Sequence, residues 1–268
     1  MFRRSLWLWL ERWELRLGFI PRWEPCEEWL ERSREATPEV TTSLDDLWRA
    51  HRWLGGTSIY RTALLRRILP RYRARRLTIL DVACGRADLT QWVVRLLRAH
   101  GVHAWAVGVD INRPIVREAR RRWTRGTHAD VVVLEGDAFH LPFRDDSFDL
   151  VMSSLFLHHC GSRSRQFLAE CLRVARIAVI VHDIIRHRIP LWFARFVLPC
   201  VVRSPITRHD AQASFRRAWT IAEAVRMAPL EHVQTIDFWR NWAFRFGLIL
   251  WKSMPLTQSS WVVDPPGP

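Results

Sequence analysis

Apolar positions in this chain alternate between strand-like and helix-like patterns from residue 77 onward. Residues 78–82 form a short β-branched, apolar run that is typical of a buried parallel strand and is interrupted only by Asp81. A turn containing Gly85 follows. A helical pattern then begins, with apolar residues at Leu89, Val93, Leu96 and Leu97. Strand, glycine-containing turn and helix in this order predict the ligand-binding corner of a doubly wound α/β sheet.

The same alternation continues through most of the chain. Further strands are predicted at residues 104–109, 131–134, 148–152 and 177–181. Helices are predicted at residues 112–124, capped by Asn112, at 163–174 and at 220–227. A closing strand pair is predicted at residues 232–239 and 243–251. We therefore predict an α/β fold with a doubly wound, seven-stranded, mostly parallel sheet and a terminal β-hairpin.

Helical patterns also precede the sheet. One helix is predicted to start at a cap formed by Thr42 or Ser43 and to stop at Gly55 and Gly56. A second is predicted from about residue 58 to residue 69, before Pro70.

Three regions follow from these patterns. Residues 1–76 are predicted to be an N-terminal helical extension, and residues 77–252 the main Rossmann-like domain. Within that domain, residues 184–217 form a proline-containing insertion that we expect to act as a lid. Residues 253–268 are predicted to be a disordered tail.

Composition limits the class of protein. The 268 residues are 49% hydrophobic and 25% charged, as in a globular protein with a sizeable core. The net charge of +14 comes almost entirely from arginine, because Lys252 is the only lysine. This charge indicates either a basic surface for nucleic acid or anionic lipid, or only the base composition of the genome. The five cysteines are scattered without metal-binding spacing, so we predict a reduced, cytoplasmic protein and no metal site.

The first thirty residues carry an excess of tryptophan. Five of the sixteen tryptophans lie there: Trp7, Trp9, Trp13, Trp23 and Trp29. Charged residues interrupt the apolar run too early for an export signal or a membrane span. Two alternatives remain: a helix packed on the main domain, which we favour, or peripheral membrane contact through residues 1–30. The second would make the protein membrane-associated.

The stretch LDVACGRADLT, residues 80–90, is similar to motif I of the class I S-adenosylmethionine-dependent methyltransferases. That motif is usually a variant of (V/L)LD-h-G-x-G-x-G, and here Ala83 and Ala87 take the places of the first and third glycines. Asp81 and Asp88 favour this cofactor over a dinucleotide, because carboxylates repel a pyrophosphate but attract an ammonium and a sulfonium. The segments LWRAHRWLGG (47–56) and TRHDAQASFRRAWT (207–220) resemble elements of a bacterial group of small-molecule methyltransferases.

This resemblance implies S-adenosylmethionine as the cofactor and indicates where it binds. Asp110 ends the second strand and is expected to accept the two ribose hydroxyls. Asp137 and Ala138 resemble the pair that receives the adenine, and Ser153 and Ser154 lie where the methionine part is bound. The full predicted set is Asp81, Ala83, Gly85, Asp110, Ile111, Asp137, Ala138, Ser153 and Ser154.

Methyl transfer also needs alignment, a dry pocket and, for a phenol or an acidic carbon, a base. Five side chains are candidates for that base: His158, His159, His182, Asp183 and His209. Of these, His159, His209 and Asp183 form the predicted catalytic set.

The segment FDLVMSSLFLHHC (148–160) resembles the family's fourth strand but lacks the Asn/Asp-Pro-Pro-Tyr pattern used to methylate base nitrogens. We therefore predict a small, fairly apolar methyl acceptor, such as a phenol, a quinone-like ring or a polyketide, with O- and C-methylation both open. An RNA methyltransferase is the first alternative, motivated by the net charge. We do not expect nucleic acid as a partner, because no RNA-binding module is visible. A non-catalytic scaffold that binds S-adenosylmethionine is the second alternative.

Overall fold

A computed structural model describes residues 2–32, 35, 37–72, 75–123 and 130–253, with side chains from residue 9 onward. The predicted tail at residues 253–268 lies outside this part of the chain, apart from Ser253.

Seven strands form one sheet in the order β3-β2-β1-β4-β5-β7-β6. The strands are β1 (Arg76–Val82), β2 (His103–Asp110), β3 (Val131–Glu135), β4 (Phe148–Ser154), β5 (Ala175–Ile184), β6 (Val233–Asn241) and β7 (Arg245–Lys252). Neighbours among β1 to β5 are parallel, and β7 lies antiparallel between β5 and β6. The predicted seven-stranded sheet with its terminal hairpin is confirmed.

Helices surround this sheet and precede it. They are α1 (Phe2–Arg16), α2 (Trp29–Arg32), α3 (Pro38–Trp53), α4 (Gly56–Ala63), α5 (Asp88–Ala99), α6 (Arg113–Trp123), α7 (Ser164–Val174), α8 (Arg188–Phe196), α9 (Leu198–Val201), α10 (Pro205–Arg217) and α11 (Ile221–Arg226). Two clusters of buried apolar side chains cover the two faces of the sheet. Because both faces of the sheet are covered, side chains on both sides of the central strands are buried, and their sequences are nearly continuous apolar runs.

The parallel strands bring their carboxyl ends to one edge of the sheet. Asp81 lies near the end of β1, paired with Gly108, and Asp110 ends β2. Ser154 ends β4 and pairs with His182 of β5. Polar side chains that are far apart in sequence therefore meet at the edge where α/β folds bind their ligands.

The predicted cap of α3 is wrong. The helix begins at Pro38, and the Thr37 hydroxyl accepts a hydrogen bond from Val40 N at 3.3 Å. Thr42 instead donates to the Pro38 carbonyl at 2.8 Å, inside the first turns. Proline suits the first helical position because a backbone N–H there has no acceptor within the helix, and proline has no such N–H. The helix cap therefore lies five to six residues earlier than the apolar pattern alone indicates.

The N-terminal extension packs on the main domain. The Glu11 carboxylate accepts a hydrogen bond from Ala222 N at 3.2 Å, at the start of α11. The Trp23 ring stacks on Trp219, with 5.5 Å between centroids. Asp210 of α10 accepts hydrogen bonds from the first backbone amides of α2. Among the described residues, no helix has the length and apolar character that crossing a bilayer requires.

The predicted insertion consists of α8, α9 and α10. It is held to α3 by polar contacts, because Asp46 accepts from Ser204 N at 3.1 Å and Thr207 donates to the Ser43 hydroxyl at 3.0 Å. Its inner side, together with α3 and α2, faces the carboxyl edge of the sheet. The insertion therefore forms a wall above the predicted cofactor site.

Candidate active site

The turn after β1 has an unusual backbone. Ala83, Gly85 and Ala87 all have positive φ angles, of 58°, 54° and 60° respectively. Alanine in this left-handed region costs about 1–2 kcal/mol relative to its usual conformation, which explains why the family pattern favours glycine here. A Cβ added at Gly85 would meet no atom within 4 Å. Because Gly85 also lines the cavity, such an atom would occupy space in which a ligand binds.

Asp81 is buried beneath this turn. Its Oδ2 accepts a 2.6 Å hydrogen bond from Thr90, whereas its Oδ1 is buried without a partner among the described groups. Burial raises the pKa of Asp81 to about 7; the Thr90 hydrogen bond opposes the rise and the charge of Asp110 adds to it. A carboxylate oxygen without a partner is suited to accept a hydrogen bond from a cationic ligand group.

Asp110 holds the turn from the neighbouring strand. One of its oxygens accepts from Gly85 N at 2.8 Å and the other from Asn112 N at 2.8 Å. Asn112 caps α6 as predicted, accepting from Ile115 N at 3.3 Å. Burial raises the pKa of Asp110, and the two backbone hydrogen bonds oppose that rise. Asp137 lies further along the edge and accepts from Phe139 N at 2.9 Å.

One cavity of about 880 Å³ joins these residues. It is lined by eight of the nine predicted cofactor residues: Asp81, Ala83, Gly85, Asp110, Ile111, Asp137, Ala138 and Ser154. The exception is Ser153, which is buried and whose carbonyl accepts from the Tyr60 hydroxyl at 2.9 Å. The free Asp81 oxygen and the open Gly85 position both fit a cofactor with a cationic amino acid end lying on this turn.

The other walls of the cavity are mainly apolar. They come from α3, α8 and the segment between β6 and β7, and include Leu44, Leu47, Leu54, Ile189, Phe193 and Phe244. Such walls exclude water and offer no array of hydrogen bonds for a polar ligand.

A chain of buried charged groups forms one end of the cavity. His158 Nδ1 donates to Asp183 Oδ1 at 2.7 Å, and its Nε2 lies 3.4 Å from Glu28 Oε1. Arg217 contacts Glu28 at 2.9 Å and Glu31 at 2.6 Å. His159 Nδ1 contacts both Glu31 and Arg217. The chain joins α2 and its preceding turn to the end of β4, β5 and α10.

These contacts separate the protonation states of the two histidines. Burial disfavours the charged form of His158, but the charge of Asp183 and the hydrogen bonds to Asp183 and Glu28 raise its pKa to about 9. Burial alone would raise the pKa of Glu28, yet its partners His158, His159 and Arg217 lower it. Burial and the charge of His158 lower the pKa of His159. At neutral pH, His158 is therefore an imidazolium and His159 is neutral.

Glu28, His158 and His159 place their donor atoms within 4.8 Å of one another, which is the spacing of a metal site. The Arg217 guanidinium contacts Glu28 at 2.9 Å in the same cluster. The arginine already supplies the positive charge that a metal ion would bring, so we assign no metal here.

The predicted catalytic residues occupy three different places. His159 lines the cavity. Asp183 lies behind His158 and reaches the cavity only through it. His209 does not line the cavity; its ring stacks on Trp29 at 4.0 Å, and its Nδ1 lies 2.8 Å from Asp210.

Several polar groups of the cavity were not predicted from the sequence, among them Glu28, Glu31, His51 and Arg245. His51 lies in the segment LWRAHRWLGG that resembles other methyltransferases, so its position there was a usable signal. Glu28 and Glu31 reach His158 and His159 across more than 120 residues of chain, which no local pattern reveals. Arg245 lies at the start of an otherwise apolar strand.

Part of the chain is similar to known methyltransferases. Residues 79–177 match a family described as a methyltransferase domain. A demethylmenaquinone methyltransferase of Lactiplantibacillus plantarum is 35% identical over 99 residues, which cover 37% of this chain and 40% of the relative. A phthiotriol/phenolphthiotriol dimycocerosates methyltransferase of Mycobacterium tuberculosis is 36% identical over 98 residues, covering 37% of this chain and 33% of the relative.

A solved structure shares the architecture. The SAM-dependent methyltransferase from Aquifex aeolicus matches with a TM-score of 0.52 and 15% identity, over 74% of this chain and 98% of that one. At this identity the likeness concerns the fold alone.

The sheet order and the turn after β1 define a class I S-adenosylmethionine-dependent methyltransferase domain. Residues 79–177 belong to the methyltransferase domain family, whose cofactor is S-adenosylmethionine. The match spans less than half of the length of these two curated relatives.

Proposed function

We propose that this protein transfers the methyl group of S-adenosylmethionine to an oxygen or carbon atom of a small, fairly apolar acceptor. The observation that carries the proposal is the single cavity, in which the cofactor residues and the apolar walls of α3 and α8 share one space. Two relatives support the acceptor class, because their names give demethylmenaquinone and phthiotriol or phenolphthiotriol dimycocerosates as substrates.

The chain's own residues would hold both reactants. Asp110 would accept the ribose hydroxyls, Asp137 the adenine amine, and Asp81 the methionine ammonium. The bound cofactor supplies an activated methyl group on a sulfonium. Leu47, Ile189 and Phe193 exclude water from the acceptor side, which favours a displacement in which charge disappears.

The acceptor's proton needs a base, and His159 is the residue we propose. It is neutral at pH 7 and lines the cavity. In the reaction, the acceptor atom bonds to the methyl carbon as the carbon–sulfur bond breaks, and the acceptor's proton passes to the imidazole. Asp183 and Glu28 hold His158 as an imidazolium beside this histidine, so we regard them as positioning residues.

Cofactor binding is tested by calorimetry with S-adenosylmethionine. We expect Asp110→Ala to weaken binding by about ten- to hundredfold, because charge-assisted hydrogen bonds to two hydroxyls are lost. Gly85→Val should abolish binding, since its side chain would enter the cavity. Asp145→Ala is the matched control, because Asp145 is an exposed partner of Arg173 outside the cavity. Unchanged affinity in a folded Asp110→Ala protein would remove Asp110 from the site.

Turnover is tested separately, with radiolabelled S-adenosylmethionine and a panel of phenols and hydroquinones. Label recovered in an organic extract would support methyl transfer. Tight cofactor binding with no transfer to any panel member or to a total metabolite extract would instead support the non-catalytic scaffold.

We also propose peripheral contact with an anionic lipid surface, which would bring an apolar acceptor to the cavity. Large apolar side chains of the N-terminal extension are exposed, including Trp9, Trp13 and Leu17. The outer side of α8 is exposed too, at Trp192 and Phe196. Residues 184–209 contain no acidic residue and four exposed arginines, Arg188, Arg195, Arg203 and Arg208, so this segment is complementary to anionic lipid.

A further inference from the structure

The wall of the cavity formed by β7 carries a buried cation. Arg245 is only 5% exposed, yet it lines the cavity. Its Nη1 donates to His182 Nε2 at 3.3 Å, and no carboxylate of the described residues forms an ion pair with it. Burial lowers the pKa of Arg245 to about 10, which leaves the guanidinium charged at neutral pH.

The groups around Arg245 do not neutralise it. His182 donates from Nδ1 to the Ser154 hydroxyl at 2.8 Å, so its Nε2 is an uncharged acceptor. His51 also lines the cavity, and burial, together with the charge of Arg245, lowers its pKa to about 3. The charge of Asp183 favours the charged form of Arg245, but the two Asp183 oxygens accept hydrogen bonds from the ring and backbone N–H of His158.

His51 adds a buried polar atom without a partner beside this unpaired charge. Its ring lies edge-on to His182, with 5.0 Å between centroids, and its Nε2 is buried without a hydrogen-bond partner among the described groups. Buried polar atoms in native proteins almost always have partners, and an unpaired buried charge is more costly still. Both groups therefore indicate that a ligand completes their interactions.

We propose that Arg245 and His51 form an anion subsite that binds an acidic oxygen of the methyl acceptor: a phenolate, an enolate or a carboxylate on an apolar ring. This inference rests on the proposed methyl transfer and specifies the acceptor. The subsite lies beside Ser154, which places the acidic oxygen near the methionine end of the cofactor site. The apolar side chains of α3 and α8 would then surround the ring.

The experiment compares two probes of nearly equal shape, 2-naphthoate and 2-naphthamide, which differ in charge. Their affinities are measured by calorimetry on the full-length protein saturated with S-adenosylhomocysteine. We expect naphthoate to bind at least about tenfold more tightly than naphthamide. The reason is that only the naphthoate carboxylate can form a hydrogen bond between opposite charges with the buried Arg245 guanidinium. Arg245→Met should remove this preference, and Arg245→Lys should retain part of it.

Arg240→Met is the matched control, because Arg240 lies on the adjacent strand and pairs with Glu14 outside the cavity. It should keep the preference for naphthoate. Equal affinity for the two probes in the wild-type protein, or an undiminished preference in Arg245→Met, would overturn the subsite. If Arg245→Met does not fold, the Arg245→Lys and His51→Phe variants provide the test. An unchanged preference for naphthoate in both variants would also overturn the subsite. Failure of S-adenosylhomocysteine to bind the wild-type protein would instead contradict the proposed function.

Discussion

Among the residues proposed to bind the cofactor, Asp81 has a carboxyl group that changes its charge near neutral pH. Its pKa of about 7 means that the carboxyl is half protonated at neutral pH in the absence of a ligand. A cationic ligand group would favour the ionised form and lower this pKa. Binding of the cofactor and loss of the Asp81 proton are therefore linked.

We predict that affinity for S-adenosylmethionine rises about tenfold between pH 6 and pH 8. Over this range the fraction of ionised Asp81 increases about tenfold for a pKa near 7. Calorimetry in buffers of different ionisation enthalpy would measure both the affinity and the proton released. In Asp81→Asn the affinity should be lower and its rise with pH reduced. A wild-type affinity that is independent of pH, with no proton released, would contradict this role.

At the residue scale, the sequence predicts the cofactor side of the cavity much better than the acceptor side. Asp81 and Asp110 lie at the ends of the first two strands, and Gly85 lies in the turn after the first, so the pattern along the chain locates all three. His51 and Arg245 become neighbours only because the fold brings both to His182 of β5. The left-handed conformation of Ala83 and Ala87 could be inferred only from the family motif, since alanine rarely adopts it.

At the scale of elements, the buried chain from Asp183 through His158 to Glu28 joins β5 to the segment before α2. Its stabilising effect depends on pH. The folded pKa of His158 is about 9, above its ordinary value of 6.5, so the folded state binds this proton more tightly. The stabilisation is complete below pH 6.5 and is lost as the pH rises through 9.

We predict that the free energy of unfolding falls by about 3 kcal/mol between pH 6.5 and pH 10 through this group. Removing the Glu28 charge weakens the raised pKa, so Glu28→Gln should show a smaller fall. Urea unfolding at several pH values measures both. Glu231→Gln is the control, because Glu231 pairs with Arg165 on the surface. An identical pH dependence in Glu28→Gln and the wild-type protein would show that the chain does not stabilise the fold as described.

Helix boundaries were predicted correctly where apolar periodicity defines them. They were predicted wrongly where a capping residue determines the start of the helix. The predicted bounds of α6 and α7 agree with those in the structure to within one residue. The start of α3 does not, because Thr37 and Pro38 begin the helix before any apolar periodicity appears. The three helices of the insertion were not resolved by the pattern, since proline interrupts each of them near its start or in its first turn.

At the scale of the whole molecule, exposed apolar side chains of α8 and the exposed arginines between residues 188 and 208 lie on the same segment of the chain. We predict that the full-length protein co-sediments with vesicles of phosphatidylglycerol and phosphatidylcholine. Binding should decrease with salt, because arginines contribute, but should not vanish, because burial of apolar area contributes about 25 cal/mol per Å².

Trp192→Ser combined with Phe196→Ser should reduce this sedimentation. Trp105→Ser is the matched control, since Trp105 is an exposed tryptophan on β2, away from the insertion. If the wild-type protein stays in the supernatant at low salt, the lipid contact is refuted. The packing of Glu11 and Trp23 on the main domain would then be sufficient to explain the N-terminal extension.

The predicted cofactor residues and the proposed acceptor walls come from different parts of the chain. This division bears on how related proteins can come to modify different compounds. All nine predicted cofactor residues lie within residues 79–177, the part that matches the methyltransferase domain family. His51, Phe193 and Arg245, which line the cavity and are proposed to face the acceptor, lie outside it. Two proteins can therefore resemble each other in how they take up the donor and still modify different compounds. Grafting the flanking segments of one such protein onto the central segment of another is the route by which new acceptors could be acquired without rebuilding the donor site.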